Sequence, residues 1–488
     1  MRQPKIRHGD ARRQAGLRRN SIAAISALLL GACSFAPVYR RPSPPVAPAF
    51  SSDTRAGVSI ARIGWRDFFT DPDLQRLIET SLANNRDLRI AIGRVEEARA
   101  QYRIEGSQLY PTLDGVAGLT RSHTPADLSL IGQPVTASQY QSVLSVGWEV
   151  DLWGRLRNMR ASALQNFLAT EEARRGVSTS LIAQLVSAWL QEHEYDERIT
   201  LAERTIDSRR ESFRIANRRY EVGSGSKLDM TQAETLLTQA QTTLQALHQA
   251  RDENRNALTL LVGAPYDPGQ RSLNLAGTNA DRALPAGLPS ELLLNRPDIL
   301  EAEHQLIAAH ADVGAARADF FPNITLTGDF GTASAHLTDL FAHGQRSWGF
   351  SPMVTLPIFN GGRNKANLDL AKARRNIAVA NYERTIQAAF RDVADALAQR
   401  KWLAGQIATT RQTVDALDER LRLAQLRYTS GRSAYLEVLE AERDRFDTEQ
   451  ALVQLRRAYY ASGVSLYAAV GGGFPEDATQ QAQGGQAG

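Results

Sequence analysis

A chain of 488 residues has room for two or three ordinary domains, and its apolar fraction of 43%, with only 7% aromatics, suits long helices better than one thick core. The formal net charge of +4 is misleading, because residues 1–32 carry seven Lys/Arg against one Asp and leave about −2 for the remainder. Nucleic acid is therefore excluded as a partner.

The first element reads as an export signal over residues 1–32. A basic stretch ends at Arg19, and "SIAAISALLL" follows, an apolar run too short to span a bilayer. "LGAC" then brings Cys33, the chain's single cysteine. A lone cysteine can be a small buried hydrophobe. Behind an apolar segment and small residues, this one resembles the acylated Cys of a bacterial lipobox. Ser34, where inner-membrane retention uses Asp, points to the outer membrane. With Cys33 capped by lipid, no disulfide or thiol chemistry remains. Residues 33–72 form the lipidated N-terminus and a spacer, in which "PVYRRPSPPVAPAF" is extended and proline-rich.

A helical pattern runs from Asp73 to Leu109 and stops at Pro111. Two alternating segments over 112–152 follow, the clearer one placing Tyr140, Leu144, Val146, Trp148, Val150 and Leu152 on one face. Period two over a dozen residues is a strand signal. From Arg155 to Tyr220 there is no proline and one glycine, Gly176. A helix over that span reaches roughly 100 Å at 1.5 Å per residue. Ile199, Ile206, Phe213 and Tyr220 recur every seven residues. The same seam returns 208 positions later as Ile407, Val414, Leu421 and Tyr428, which argues coiled-coil packing.

The repetition is general. "RYEVGSGSKLDMTQAE" from Arg219 returns as "RYTSGRSAYLEVLEAE" from Arg427, and Gly154-Arg155 returns as Gly362-Arg363. At an offset of 211, Asp87, Ala91, Tyr110 and Pro111 match Asp298, Ala302, Phe321 and Pro322. Each half, 73–270 and 271–474, is expected to run helix, two strands, very long helix, glycine turn and return helix. The second strand pair, 323–359, places Trp348, Phe350, Val354, Leu356 and Ile358 on one face. Residues 475–488 read as a disordered tail. The fold class is thus mixed and mainly α, internally duplicated, with four strands per chain.

No apolar run reaches the length of a membrane helix. The strands have the length and alternation of a membrane barrel, although a soluble sandwich strand alternates too. Four strands cannot close a barrel, and open edges cannot sit in lipid. If they enter a membrane, copies must share the barrel: two give eight strands with a filled interior, three give twelve and an aqueous lumen.

"LGAC", "WEVDLWGRLR", "RYEVGSGSKLDM", "LPSELLLNRPDILEAEHQL", "FFPNITLTGDFG", "LPIFNGGR", "AFRDVADAL" and "RYTSGRSAYLEVLEAE" span nearly the whole mature chain. In that order they resemble the outer-membrane efflux factor (TolC-like) family, in its NodT/OprM-like lipoprotein branch. The resemblance implies a homotrimer whose twelve-strand barrel continues into a long periplasmic α-helical barrel. It also implies a periplasmic adaptor and an inner-membrane RND pump as partners, and an exit duct for efflux as the function. A channel for type I secretion is the nearest rival within the family. A lipid-anchored coiled-coil adaptor or scaffold without a pore is the rival outside it, but leaves the matched strand pairs unexplained.

An enzyme finds little support. The eight histidines form no metal spacing, and "GSGSK" at Gly223 lacks a phosphate loop's context. No cofactor is expected beyond the covalent lipid on Cys33. Arg/Glu pairs along the helices read as a solvated face. The resemblance places adaptor contacts around the two tips, at Arg219, Tyr220 and Gly223 and at Arg427, Tyr428 and Gly431. It also places a leucine ring and an acidic ring just after the second turn, on Leu436 and Glu440, with Arg443 as partner. The usual Asp is Glu here. The first repeat offers Leu228, Gln232 and Thr235 at the same positions and so lacks both charges. Without the resemblance, Leu436 reads as a seam residue and Glu440–Arg443 as an exposed helical pair.

Overall fold

The computed structural model describes residues 35–47, 63–266 and 289–472. In chain order they form α1 (Trp65–Phe68), α2 (Pro72–Asn84), α3 (Arg86–Ser107), β1 (Thr112–Thr124), β2 (Val135–Glu149), α4 (Arg155–Glu221), α5 (Lys227–Val262), α6 (Pro289–Asn295), α7 (Pro297–Ala318), β3 (Asn323–Ser334), β4 (Arg346–Thr355), α8 (Arg363–Thr429) and α9 (Tyr435–Ala469). Short 3-10 turns sit between β1 and β2 and between β3 and β4. Cys33 and the tail lie outside the described residues. Two compact units emerge, and they cut across the two halves of the sequence. One takes the chain up to Pro42 with Val95–Thr170 and Ala302–Tyr382; the other takes Ser43–Arg94, Glu171–Glu301 and Glu383–Gly488.

The first unit holds one antiparallel sheet in the order β1-β2-β3-β4. Its register sorts side chains cleanly. Leu113 faces Val146, Leu144 faces Phe330, Trp148 faces Leu326, and Phe330 faces Trp348, so every strand contributes to one apolar face. On the other face, Asp114, Ser145 and Asp329 share a level. Leu113, Leu119, Leu144, Phe330, Trp348, Phe350 and Val354 are all exposed on the apolar side. A single-layer sheet with a bare apolar face is not stable in water.

Two strand ends differ from expectation. β2 stops at Glu149, short of Val150 and Leu152, because the Asp151 carboxylate accepts a hydrogen bond from the Arg157 amide (2.9 Å) and Gly154, at φ +77°, turns the chain into α4. β4 stops at Thr355, short of Leu356 and Ile358, because Pro357 offers no amide to a ladder and two left-handed glycines, Gly361 and Gly362, follow. The helix expected from Asp73 to Leu109 is likewise broken. Asn85 interrupts it, its side chain accepting from the Leu88 amide (3.0 Å) to start α3 afresh.

The N-terminal spacer is more than extended chain. Glu303, buried on α7, receives Arg41 through both carboxylate oxygens (2.7 and 2.6 Å) and the Tyr39 hydroxyl (2.8 Å). Phe35 stacks on Phe321 with ring centroids 4.5 Å apart.

The second unit is built on hairpins, made by α4 from Glu171 onward and α8 from Glu383 onward with their return helices. α4 and α8 each run 67 residues and begin 208 positions apart. Ile199 and Ile206 are buried against Leu247 and Phe446 and against Leu237 and Ala240. Leu421 and Tyr428 pack on Ala424, Val438 and Ala441. Tyr220 departs from the seam and is exposed. The ion pairs are also not all a solvated face. Acidic residues in one stretch of α4 bond arginines on both return helices: Glu192–Arg255 (2.6 Å) and Asp196–Arg251 (3.2 Å) to α5, Glu194–Arg457 (2.9 Å) and Glu197–Arg456 (2.6 Å) to α9. Glu192 and Glu194 are buried, so these bonds hold the bundle. Within "LLLNRPDI", Arg296 donates to Asp298 (2.9 and 2.7 Å), to Asp392 on α8 (3.3 Å) and to the Ala469 carbonyl (3.0 Å), tying the start of α7 and the end of α9 to the middle of α8.

Candidate functional site

The two hairpin tips share one backbone design. At the second, the Gly431 amide donates to the Tyr428 carbonyl (2.9 Å) and the Arg432 amide to the Arg427 carbonyl (2.9 Å). At the first, Gly223 donates to Tyr220 (3.0 Å) and Ser224 to Arg219 (2.9 Å). Both glycines are left-handed, at φ +73° and +69°. This is the Schellman termination, in which paired amides return to carbonyls three and five residues back. "RYxxG" recurs because it spells that cap.

The side chains of the motif have diverged. Arg219 donates to the Tyr428 hydroxyl, and its guanidinium lies 5.0 Å from the centre of that ring. Tyr428 in turn packs on Tyr435 at 4.7 Å. Burial pushes the Tyr435 phenol up to about 12. Arg427 instead pairs with Glu437 inside its own hairpin (3.4 Å), and Tyr220 stays exposed. One arginine of the first tip is therefore tied to one tyrosine of the second. The helix starts diverge too. Ser226 caps α5 through the Asp229 amide (3.0 Å), whereas Ala434 opens α9 with no side-chain cap.

The predicted gate residues follow the second tip. Leu436 is exposed, as is its counterpart Leu228. Glu440 attracts Arg443 only at longer range and makes no ion pair with it among the described residues. It faces Arg420 of α8 at 3.7 Å, and Arg420 also bonds Asp444 (2.7 Å). Arg443 donates to Asp444 (2.9 Å). Burial acts to raise the Asp444 carboxyl, but hydrogen bonds from Arg443 and Arg420 hold it below the usual carboxylate range. The cluster is thus four-membered. Asp444 lies next to Arg443 and one turn beyond Glu440, a spacing visible in the sequence. Arg420 comes from the antiparallel helix, and no local pattern marks it.

Among the described residues no group of three or more His, Cys, Asp or Glu could hold a metal, and no helix is long and apolar enough to cross a membrane. An open four-strand sheet with a bare apolar face thus occurs in a chain that also builds two long helical hairpins. The chain matches the family described as outer membrane efflux protein over residues 77–264 and 288–472. It is 42% identical over 471 residues to the toluene efflux pump outer membrane protein TtgC of Pseudomonas putida, covering 94% of this chain and 96% of that one. It is 43% identical over 464 residues to outer membrane protein OprJ of Pseudomonas aeruginosa, covering 93% and 96%. Its fold superposes on the open state of the MtrE outer membrane channel of Neisseria gonorrhoeae with a TM-score of 0.83, at 39% identity, covering 90% and 98%. The chain belongs to the outer membrane efflux protein family. It is an outer-membrane exit duct of efflux pumps, a transport protein and not an enzyme.

Proposed function

We propose that three copies of this chain close one twelve-strand barrel in the outer membrane and continue it as a periplasmic helical tunnel. The barrel completes the path out of an inner-membrane RND pump bridged by a periplasmic adaptor. The bare apolar face of the four-strand sheet carries this reading. β1 and β4 are its free edges, and edges cannot stand in lipid, so they must pair with copies of themselves. Four strands from each of three subunits enclose a lumen wide enough for water, which eight strands would not leave. The strands run 13, 15, 12 and 10 residues, enough to cross a bilayer that needs about 9–11.

The chain is internally duplicated in this account, which explains why helices of equal length end in the same cap. The tips, at Arg219, Tyr220, Gly223, Arg427, Tyr428 and Gly431, meet the adaptor. Leu436 and Glu440 narrow the tunnel, and Arg420, Arg443 and Asp444 hold the acidic cluster in place. Three leucines near an axis exclude water from a constriction. Cys33 carries the lipid that tethers the mature N-terminus. The channel conducts passively, and substrate choice resides in the pump.

The test is complementation and mass. Expression in a strain lacking its own efflux duct, together with an adaptor and RND pump from the same gene cluster, should restore drug export. The purified protein should have three times the chain mass. Monomers in the outer-membrane fraction, or restored protein secretion in place of drug export, would contradict the reading.

A further inference from the structure

The sheet carries six charged or histidine side chains, and the register segregates them by sign. Asp114, Glu149 and Asp329 lie on the polar face. Arg121, His123 and Arg346 lie on the apolar face, in line with Leu119 on β1 and with Trp348 on β4. All three sit at the end where short connections join β1 to β2 and β3 to β4, the end away from the strand–helix junctions. At the opposite end the same face finishes in Trp148, Leu326 and Val354, without a charge. Arg121 stands opposite Ser138 and Arg346 opposite Thr332, and neither arginine has an acidic partner among the described residues.

A cation on the lipid face is costly deep in the bilayer but is tolerated at the rim, where headgroup anions can meet it. Arg121 is on β1 and Arg346 is the first residue of β4, the two free edges of the sheet. Closing the barrel sets β4 of one subunit beside β1 of the next. Within one sheet Arg346 stands level with Ala117, four residues from Arg121, and both arginines lie toward the same rim. The strand stagger of a closed barrel would bring the two guanidinium groups of each seam together on the lipid side, with Trp348 two residues below. Like charges on neighbouring strands repel. A phosphate relieves that repulsion, and the planar guanidinium matches it with two parallel hydrogen bonds.

We propose that each subunit seam is a binding site for the phosphate of a phosphorylated glycolipid of the outer leaflet, formed by Arg121 of one copy and Arg346 of its neighbour. The site rests on the trimeric-barrel reading above. It is incomplete in a single chain, and the lipid staples the seam it occupies.

The test uses the full-length protein in detergent, with native mass spectrometry as readout. The probes are the bisphosphorylated, acylated glucosamine disaccharide, the same lipid stripped of phosphate, and inorganic phosphate alone. Wild-type trimers should bind up to three copies of the phosphorylated lipid. They should bind the dephosphorylated lipid far more weakly, and inorganic phosphate should not displace the intact lipid. Arg121→Gln with Arg346→Gln should weaken binding about twenty-fivefold, from about fivefold per arginine at an anionic lipid surface. Arg121→Lys with Arg346→Lys should recover part of the loss. Equal binding of both lipids by the wild type, or unchanged binding by the Gln pair in intact conducting trimers, would overturn the site and leave the channel reading standing. Absence of trimers or of conductance in the wild type would remove both.

Discussion

Gly431→Val is the sharpest perturbation of the tips. The glycine sits at φ +69°, and a Cβ built there meets open space, so the cost is backbone strain and not collision. For an L-residue that region costs about 1–2 kcal/mol, and β-branching adds to it. The cap closed by the Gly431 and Arg432 amides should therefore open about 5–30 times more often, at 1.4 kcal/mol per tenfold. Hydrogen exchange at those two amides reads the change directly. Gly223→Val, at φ +73°, should behave alike at the first tip. Export in a strain lacking its own duct should fall while trimer yield is unchanged, because the strands and the seams are untouched. Gly431→Asn is the control, since asparagine enters the left-handed region at little cost. Wild-type export by both Val variants, or equal failure of Asn and Val, would rule out the left-handed caps as a requirement for export.

Leu436→Ala combined with Glu440→Ala should raise the single-channel conductance of purified trimers by removing the constriction, and no change would return both residues to the helical seam. Cys33→Ala should abolish labelling by a radioactive fatty acid and cleavage before residue 33 while leaving barrel insertion intact, and labelling that persists would exclude Cys33 as the acceptor. His193, packed 4.0 Å from the Trp189 ring, is held down to about 4 chiefly by burial, with Asp71 pulling the other way. Its folded pKa lies below the ordinary 6.5, so its contribution is present above pH 6.5 and is lost as pH falls from 6.5 towards about 4. The loss amounts to about 3 kcal/mol at about 1.4 kcal/mol per unit. Thermal melts of His193→Leu should therefore be flatter than wild type over that window, and parallel curves would sink the assignment.

Much of the fold could be read because its signals are periodic. The period-two face of β2 and the seven-residue seam of α4 each repeat several times, so single exceptions such as Tyr220 do not hide them. The strand ends were less legible. Whether Asp151 continues a strand or caps the next helix depends on where Arg157 comes to lie. Long-range partners were invisible. Nothing near Glu303 marks it as the anchor for Arg41, 262 positions away. Nothing near Glu440 names Arg420, and the general reading of Arg/Glu pairs as a solvated face does not hold for Glu192 and Glu194, whose partners stand on other helices. The tip glycines were foreseeable, since a glycine between two helical runs has few other uses. That Arg219 would reach Tyr428 of the other tip was not, because the two repeats spell the same motif and only the assembled hairpins distinguish them.

The most direct test of the account is the current carried by the purified protein in a planar lipid bilayer. An exit duct predicts discrete, water-filled conductance steps of uniform size from a preparation of trimers, with no nucleotide present. A preparation that binds the bilayer through its lipid yet never passes current would contradict it, and would leave a tethered coiled-coil scaffold in its place.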